Sequence, residues 1–200
     1  RADLRALNRG AVEGVPCHRA DIADLEAIAP AFEGVDTVVH LAADATSPNP
    51  PWDSILRNNV TGTYNVYEAA RRAKVKRVVF ASSGATVSGI EKDKPYSDLV
   101  AGRYEGLTSW PMLTHLSPVR PAALYGVSKV WGEVLGRQYA DVHVGPQRGT
   151  DVVGAGTQTT AFPAGVIVTG AQEDAVATAD RGSIHQRQCA GASLADDEHG

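Results

Sequence analysis

Cysteine is almost absent from this 200-residue chain, Cys17 and Cys189 being the only two. They form neither a metal-ligand spacing nor a disulfide framework, which fits a reducing compartment, so a cytoplasmic location is expected. No cluster of His, Cys and carboxylate residues suggests a metal site. Positive charge is not in excess: 19 Lys and Arg stand against 23 Asp and Glu, a net charge of -4. That excludes an extended basic surface for nucleic acid. No apolar run approaches a membrane span, and no signal-peptide pattern opens the chain. Neither a nucleic-acid nor a membrane partner is expected.

The second half lacks more. No Lys follows Lys129, no Tyr follows Tyr139, and Phe162 is the only aromatic after that point. From about His143 the composition turns rich in Gly, Ala, Thr and Gln, which cannot bury a good core. Residues 143–200 are therefore expected to be an atypical, poorly ordered tail, in which only Ala164–Thr169 reads as one strand. The chain also opens on Arg1 rather than Met, with residues that read as the middle of something, so a fragment is expected.

What is present is an ordinary soluble composition, 43% hydrophobic, with room for one domain and a real core. Leu4 to Leu7 reads as a strand ending in Asn8-Arg9-Gly10. Val15 to His18 reads as a weaker strand running into Ala20-Asp21-Ile22. Asp24 is a plausible N-cap for a helix carrying Leu25, Ile28 and Phe32, with Gly34 to end it. Thr37 to Leu41 is a near-continuous β-branched run, as expected of a strand covered on both faces of a parallel sheet. A long helix is predicted over Trp52 to Ala73, with Leu56, Val60, Tyr64 and Tyr67 as its apolar stripe. Arg77 to Ala81 is the next buried strand, leading to Ser82-Ser83-Gly84. Ile90 to Pro121 shows turns but no period, and a second long helix is predicted over Ala122 to Ala140. This alternation of strand and helix argues for a parallel sheet with helices on both faces, whose ligands sit at the carboxyl ends of the strands.

The second helix carries Tyr125-Gly126-Val127-Ser128-Lys129. A Tyr and a Lys four apart share a helix face, and a cation beside a phenol favours its phenolate. A phenol so placed can exchange a proton with a carbonyl or an alcohol. Alone, the pair reads better as a half-buried Tyr with a solvated Lys, and only its context reverses that.

His40-Leu41-Ala42-Ala43, then Asn59-Val60-Thr61-Gly62-Thr63, then Ser82-Ser83 after a strand, then Tyr125 and Lys129 occur in an order that resembles the extended short-chain dehydrogenase/reductases, the NAD-dependent epimerase/dehydratase family. The resemblance covers about Leu4 to Tyr139 and is most similar to uronate-dehydrogenase-like oxidoreductases. It implies a three-layer α/β Rossmann-type domain over 1–142. It implies NAD or NADP as cofactor and hydride transfer on a sugar or sugar-derived substrate.

The resemblance also implies roles. Tyr125 would be the general acid/base, and Lys129 would hold the cofactor ribose. Ser83 would position the substrate oxygen, although counting back from Val87 points to Gly84, which has no hydroxyl. Asp21 and Ile22 would meet the adenine. Leu41, Ala42 and Ala43 would line the cofactor, the small residues letting the backbone approach it. Asn59 would order the active-site backbone. Each has a plainer reading: Asp21 caps a turn, the serines end a strand, the alanines pack, Asn59 is exposed on its helix. His40 reads as a satisfied core or strand-end residue rather than a metal ligand, and His115 and His143 are read the same way.

Three departures stand out. The Gly-rich phosphate loop and the strand that carries it are missing ahead of Leu4, which should weaken cofactor binding. The glycines of Val153-Gly154-Ala155-Gly156 come too late in the chain to replace them. Asn8-Arg9 stands where an Asp often grips the ribose; Asn8 can still bond a ribose hydroxyl and Arg9 could face a 2′-phosphate. The tail is the third departure. The alternative to the enzyme is a non-catalytic fragment, or a binding or dimerisation module that kept the fold's middle. A homodimer through the two long helices is the partner the resemblance implies.

Overall fold

In the computed structural model, residues 3–46, 50–144, 152–153 and 166–169 are described. The chain opens with strand β1 (Leu4–Asn8), turns at Gly14, where φ is 73°, and returns as β2 (Cys17–Arg19). Asp24 caps the short helix α1 (Leu25–Ile28), its carboxylate accepting the Ala27 N–H at 3.0 Å. A 3₁₀ turn over Ala29–Phe32 continues it, and Gly34, at φ 67°, sends the chain into β3 (Thr37–His40). Helix α2 (Trp52–Ser54) runs without a break through π-helical turns over Ile55–Thr61 into α3 (Gly62–Arg72). Strand β4 (Arg77–Ala81), the short helix α4 (Tyr96–Val100) and the long helix α5 (Leu124–Tyr139) follow. The last described elements are β5 (Val152–Val153) and β6 (Val166–Thr169). No described helix is long and apolar enough to cross a membrane.

The strands form one sheet in the order β2-β1-β6-β3-β4-β5, and every pairing is parallel. This is the Rossmann-type sheet expected from the alternating pattern. Two strands, β5 and β6, lie in 143–200 and belong to the sheet, and of these only β5 departs from expectation. Val166–Thr169 falls within the run read as a strand. It occupies the centre of the sheet, beside β1, where no strand from ahead of Leu4 is described. Parallel strands need a partner on each side to bond all their backbone groups, and a four-residue β-branched run serves wherever it comes from in the chain.

The core forms where the sheet meets α3 and α5. Leu7, Val38 and Phe80 from the strands pack with Ile28, Phe32, Val66 and Tyr67. Each fully buried apolar side chain of this size contributes about 1.5–3 kcal/mol. The predicted stripe of the long helix needs correction. Its buried face is Ile55, Asn59, Thr63, Val66, Tyr67 and Ala70, while Leu56 and Tyr64 are exposed. Periodicity missed this because two positions on the buried face are polar and satisfied by hydrogen bonds, and the apolar residues beside them face outward. The histidine readings divide. His40 is fully buried, shares a 3.1 Å hydrogen bond between its Nε2 and Thr63 Oγ1, and has its pKa pushed down to about 3 by burial and by Lys129. His115 and His143 are exposed, so the core reading fails for both.

Helix α5 approaches the sheet through glycines on one face. A Cβ on Gly132 would lie 2.2 Å from Phe80 Cζ, and one on Gly136 would lie 2.5 Å from the Tyr67 hydroxyl. Gly132→Ala should therefore destabilise the fold by about 1–3 kcal/mol through overpacking. Urea unfolding would show it as a lower midpoint at unchanged slope; an unchanged midpoint would mean the close packing is not there.

Candidate active site

The residues predicted at the nucleotide end come together. Asn8 at the end of β1 and Arg9 after it, Ala20, Asp21 and Ile22 after β2, and Ala42 and Ala43 after β3 line one cleft of about 210 Å³. That is below the ~300–1,000 Å³ of a site enclosing a whole small ligand. Local bonds hold its walls. The Ala20 N–H donates to Asn8 O at 3.1 Å, and Asn65 Nδ2 donates to Ile22 O at 2.8 Å. Ile22 sits directly under Gly62, where a Cβ would be 2.5 Å from its Cδ1. Leu41 is 38% exposed and does not line the cleft.

Asp21 both caps a turn and lines the cleft. Its Oδ1 accepts the Ala23 N–H at 2.9 Å and its Oδ2 accepts from Arg57 at 2.9 Å. Partial burial opposes its ionisation, but the Ala23 N–H, Arg57 and Arg9 outweigh that and hold its carboxyl below the usual range.

Asn59 is 2% exposed, which removes the surface reading. Its side-chain amide clamps the loop after β3: Oδ1 accepts the Asp44 N–H at 2.6 Å and Nδ2 donates to Asp44 O at 3.1 Å. The same Nδ2 donates to Ser128 Oγ at 2.9 Å, and Ser128 Oγ donates to Tyr125 O at 2.7 Å. A continuous polar chain thus joins the cleft wall to the helix turn that carries Tyr125.

Lys129 is 4% exposed. Its Nζ donates to Ala81 O, at the end of β4, at 2.8 Å and lies 5.5 Å from the Tyr125 ring centroid and 5.0 Å from that of Phe80. The reading of a solvated Lys is therefore wrong. Burial lowers its pKa to about 8, so it remains an ammonium at neutral pH. Tyr125 is half-buried beside it. Ser83 begins the turn over Gly84–Thr86, its Oγ accepting the Ala85 N–H at 3.2 Å. The turn packs directly on α5, since a Cβ on Gly126 would lie 2.4 Å from Ala85 O. Tyr125, Lys129 and the Ser83 turn therefore share the carboxyl end of β4, one strand across the sheet from β3, whose following residues Ala42 and Ala43 line the cleft.

The residue reading overlooked several groups here. Asp44 lines the cleft, and its carboxylate accepts from the Thr46 N–H at 2.9 Å, from the Thr46 hydroxyl and from Ser54. Ser128 relays Asn59 to α5, and Glu133 accepts from Ser82. Arg57 neutralises Asp21. Asp44 directly follows the Ala42-Ala43 pair, and a buried Asn59 demands backbone partners, which was the one available signal. Among the described residues, no group of three His, Cys, Asp or Glu side chains could hold a metal ion.

With this geometry in place, the family model for the NAD dependent epimerase/dehydratase family matches residues 2–173. L-arabinose 1-dehydrogenase (NAD(P)(+)) of Haloferax volcanii is 42% identical over 142 residues, covering 70% of this chain and 53% of that protein. Uronate dehydrogenase of Agrobacterium fabrum is 38% identical over 128 residues, covering 62% of this chain and 40% of its own length. A solved structure of a uronate dehydrogenase mutant from Agrobacterium tumefaciens, complexed with NAD, superposes with a TM-score of 0.54 at 33% identity, covering 70% of this chain and 48% of that one. The chain spans about half the length of the curated relatives it matches.

The buried ammonium makes a pH prediction. With its folded pKa near 8 and its unfolded pKa near 10.5, Lys129 costs stability below pH 8, and that cost fades as pH rises toward 10.5. Lys129→Met should compare most favourably with the parent at pH 7 and lose ground by pH 10 in thermal melts. A difference in midpoint that stays constant with pH would contradict the burial of this charge.

Proposed function

The chain belongs to the NAD dependent epimerase/dehydratase family, and from that premise we propose that it is an NAD(P)-dependent oxidoreductase acting on a sugar or sugar-derived substrate. The observation that carries this reading is Lys129: a nearly fully buried ammonium, bonded to a backbone carbonyl and set against the Tyr125 ring. Burying a charge without a carboxylate is costly, and such groups cluster where chemistry needs them.

The donor set fits a dinucleotide. Asp21 and Ile22 would meet the adenine, and Asn8 and Arg9 the adenosine ribose. Ala42 and Ala43 leave the backbone open to approach, and Lys129 would hold the second ribose. Arg9, exposed at the mouth of the cleft, suits a 2′-phosphate, so NADP stands beside NAD. The bound nicotinamide supplies a hydride acceptor. The protein's own residues do the rest. The Ser83 Oγ accepts from Ala85, which leaves its own proton to donate to the substrate oxygen. Tyr125 takes the hydroxyl proton as the carbinol carbon is oxidised. The Lys129 ammonium stands against the Tyr125 ring, its Nζ 5.5 Å from the ring centroid. Asn59 and Ser128 hold the Tyr125 turn in place through backbone bonds.

A second copy of the chain is the proposed protein partner. Leu56 and Tyr64 on one long helix and Val127, Trp131 and Val134 on the other are exposed. Trp131 Nε1 donates to Val60 O at 3.4 Å, so the two outer faces adjoin. A contiguous exposed apolar face of this kind marks an interface. Sedimentation should give a dimer for the parent and a monomer for Trp131→Glu; a parent that stays monomeric rules this out.

Calorimetric titration with NAD and NADP tests the main reading. At least one should bind, and uronic acids and L-arabinose are the first substrates to offer. Tyr125→Phe should leave cofactor affinity within a few-fold while turnover falls roughly 10²–10⁴-fold, the usual contribution of a positioned acid/base. If neither cofactor binds, the chain is a non-catalytic member of its family.

A further inference from the structure

Strand β4 ends at Ala81, and the next two residues, Ser82 and Ser83, lead into the turn over Gly84–Thr86. The turn has its own internal bonds. Ser83 O accepts the Thr86 N–H at 3.2 Å and the Thr86 hydroxyl at 2.9 Å. Those bonds set the shape of the turn, while its place beside Tyr125 depends on contacts with α5. At the far end of the turn Gly126 presses on Ala85 O, and the Arg120 N–H donates to Thr86 O at 2.8 Å.

The near end is held from α5 by two side chains one helical turn apart. Lys129 and Glu133 share a helix face. Lys129 Nζ donates to Ala81 O at 2.8 Å, and the Glu133 carboxylate accepts from the Ser82 hydroxyl. Gly132, between them, lets the helix lie close enough against Phe80 for both bonds. A serine at a strand end commonly bonds the backbone beside it. Ser82 instead reaches a carboxylate 51 residues further along the chain. A hydroxyl given to a carboxylate makes a charge-assisted bond, stronger than a neutral one. Glu133 is half-buried on a face packed against the sheet, a costly place for a carboxylate without a partner. Neither Ser82 nor Glu133 lines the cleft.

We propose that Glu133 is a positioning residue of the site: through Ser82 it fixes the chain at the end of β4, so that the Ser83 hydroxyl next to it is held in place beside Tyr125 for the substrate oxygen. This rests on the oxidoreductase reading above.

Turnover of the full chain with NAD or NADP and the offered sugars, beside calorimetric cofactor affinity, is the test. Ser82→Ala and Glu133→Leu remove the same bond from its two sides. Misplacing a reacting group by about 1 Å can cost roughly 10²-fold, so each variant should lower kcat about tenfold while cofactor affinity stays within about twofold. Glu133→Gln keeps an oxygen for the Ser82 hydroxyl and fills much the same space as leucine, so it should restore most of the lost turnover. The double variant should be no slower than the slower single one, because both lose one bond. An unchanged kcat in Ser82→Ala, equal losses in Glu133→Gln and Glu133→Leu, or additive losses in the double variant overturn the proposal. Should Glu133→Leu not fold, Ser82→Ala and Glu133→Gln carry the test. Hydrogen exchange gives a readout without turnover. In Ser82→Ala, residues 83–88 should exchange faster than in the parent while Arg77–Ala81 keeps its protection, and unchanged exchange at 83–88 overturns the clamp. If the parent binds neither cofactor, that exchange decides the clamp alone, and the catalytic purpose falls with the oxidoreductase reading.

Discussion

A parallel sheet can bond all its backbone groups only if each interior strand has a neighbour on both sides, and that constraint organises this protein. Strands β1 and β3 are the edges of a gap one strand wide, and β6 closes it in register with both. Once the gap is closed, the carboxyl ends of β1, β3 and β4 align along one edge of the sheet. The loops that follow them carry the cleft, the Asn59 clamp and the Ser83 turn. The chemistry is spread over residues far apart in sequence, and the sheet puts them on one line.

Between the sheet and its helices, polar groups take over work usually given to apolar packing. The buried face of the long helix includes Asn59 and Thr63, which bond the Asp44 backbone, Ser128 and His40. Such bonds are directional. A leucine at Asn59 would fill space but would not fix the Asp44 loop relative to the Tyr125 turn. A satisfied buried network specifies one arrangement, and an active site needs one arrangement. Lys129 shows the opposite economy: its desolvated ammonium weakens the fold and is held by the Ala81 carbonyl beside the Tyr125 ring.

The same helices show two faces with different purposes. The inward face is partly polar and bonded, and the outward face carries Leu56, Tyr64, Val127 and Trp131. Counting hydrophobic residues along the helix picks out the wrong face, because apolar residues suit a partner's surface as well as a core. Period alone cannot tell the two apart.

The amino-acid sequence by itself determined the elements and their chemistry. The β-branched runs at Thr37–His40 and Arg77–Ala81, the Asp24 cap, the Tyr125–Lys129 spacing and the small Ala42-Ala43 pair were all legible, because each follows from local propensity or from side-chain spacing along one element. Tertiary structure alone decided the rest. It buried Lys129, joined Asn59 to Asp44 and Ser128, turned Leu56 and Tyr64 outward, and set Val166–Thr169 between β1 and β3. These are contacts between segments distant in the chain, and whether a polar group is satisfied or a strand finds its neighbours depends on partners that no local pattern encodes.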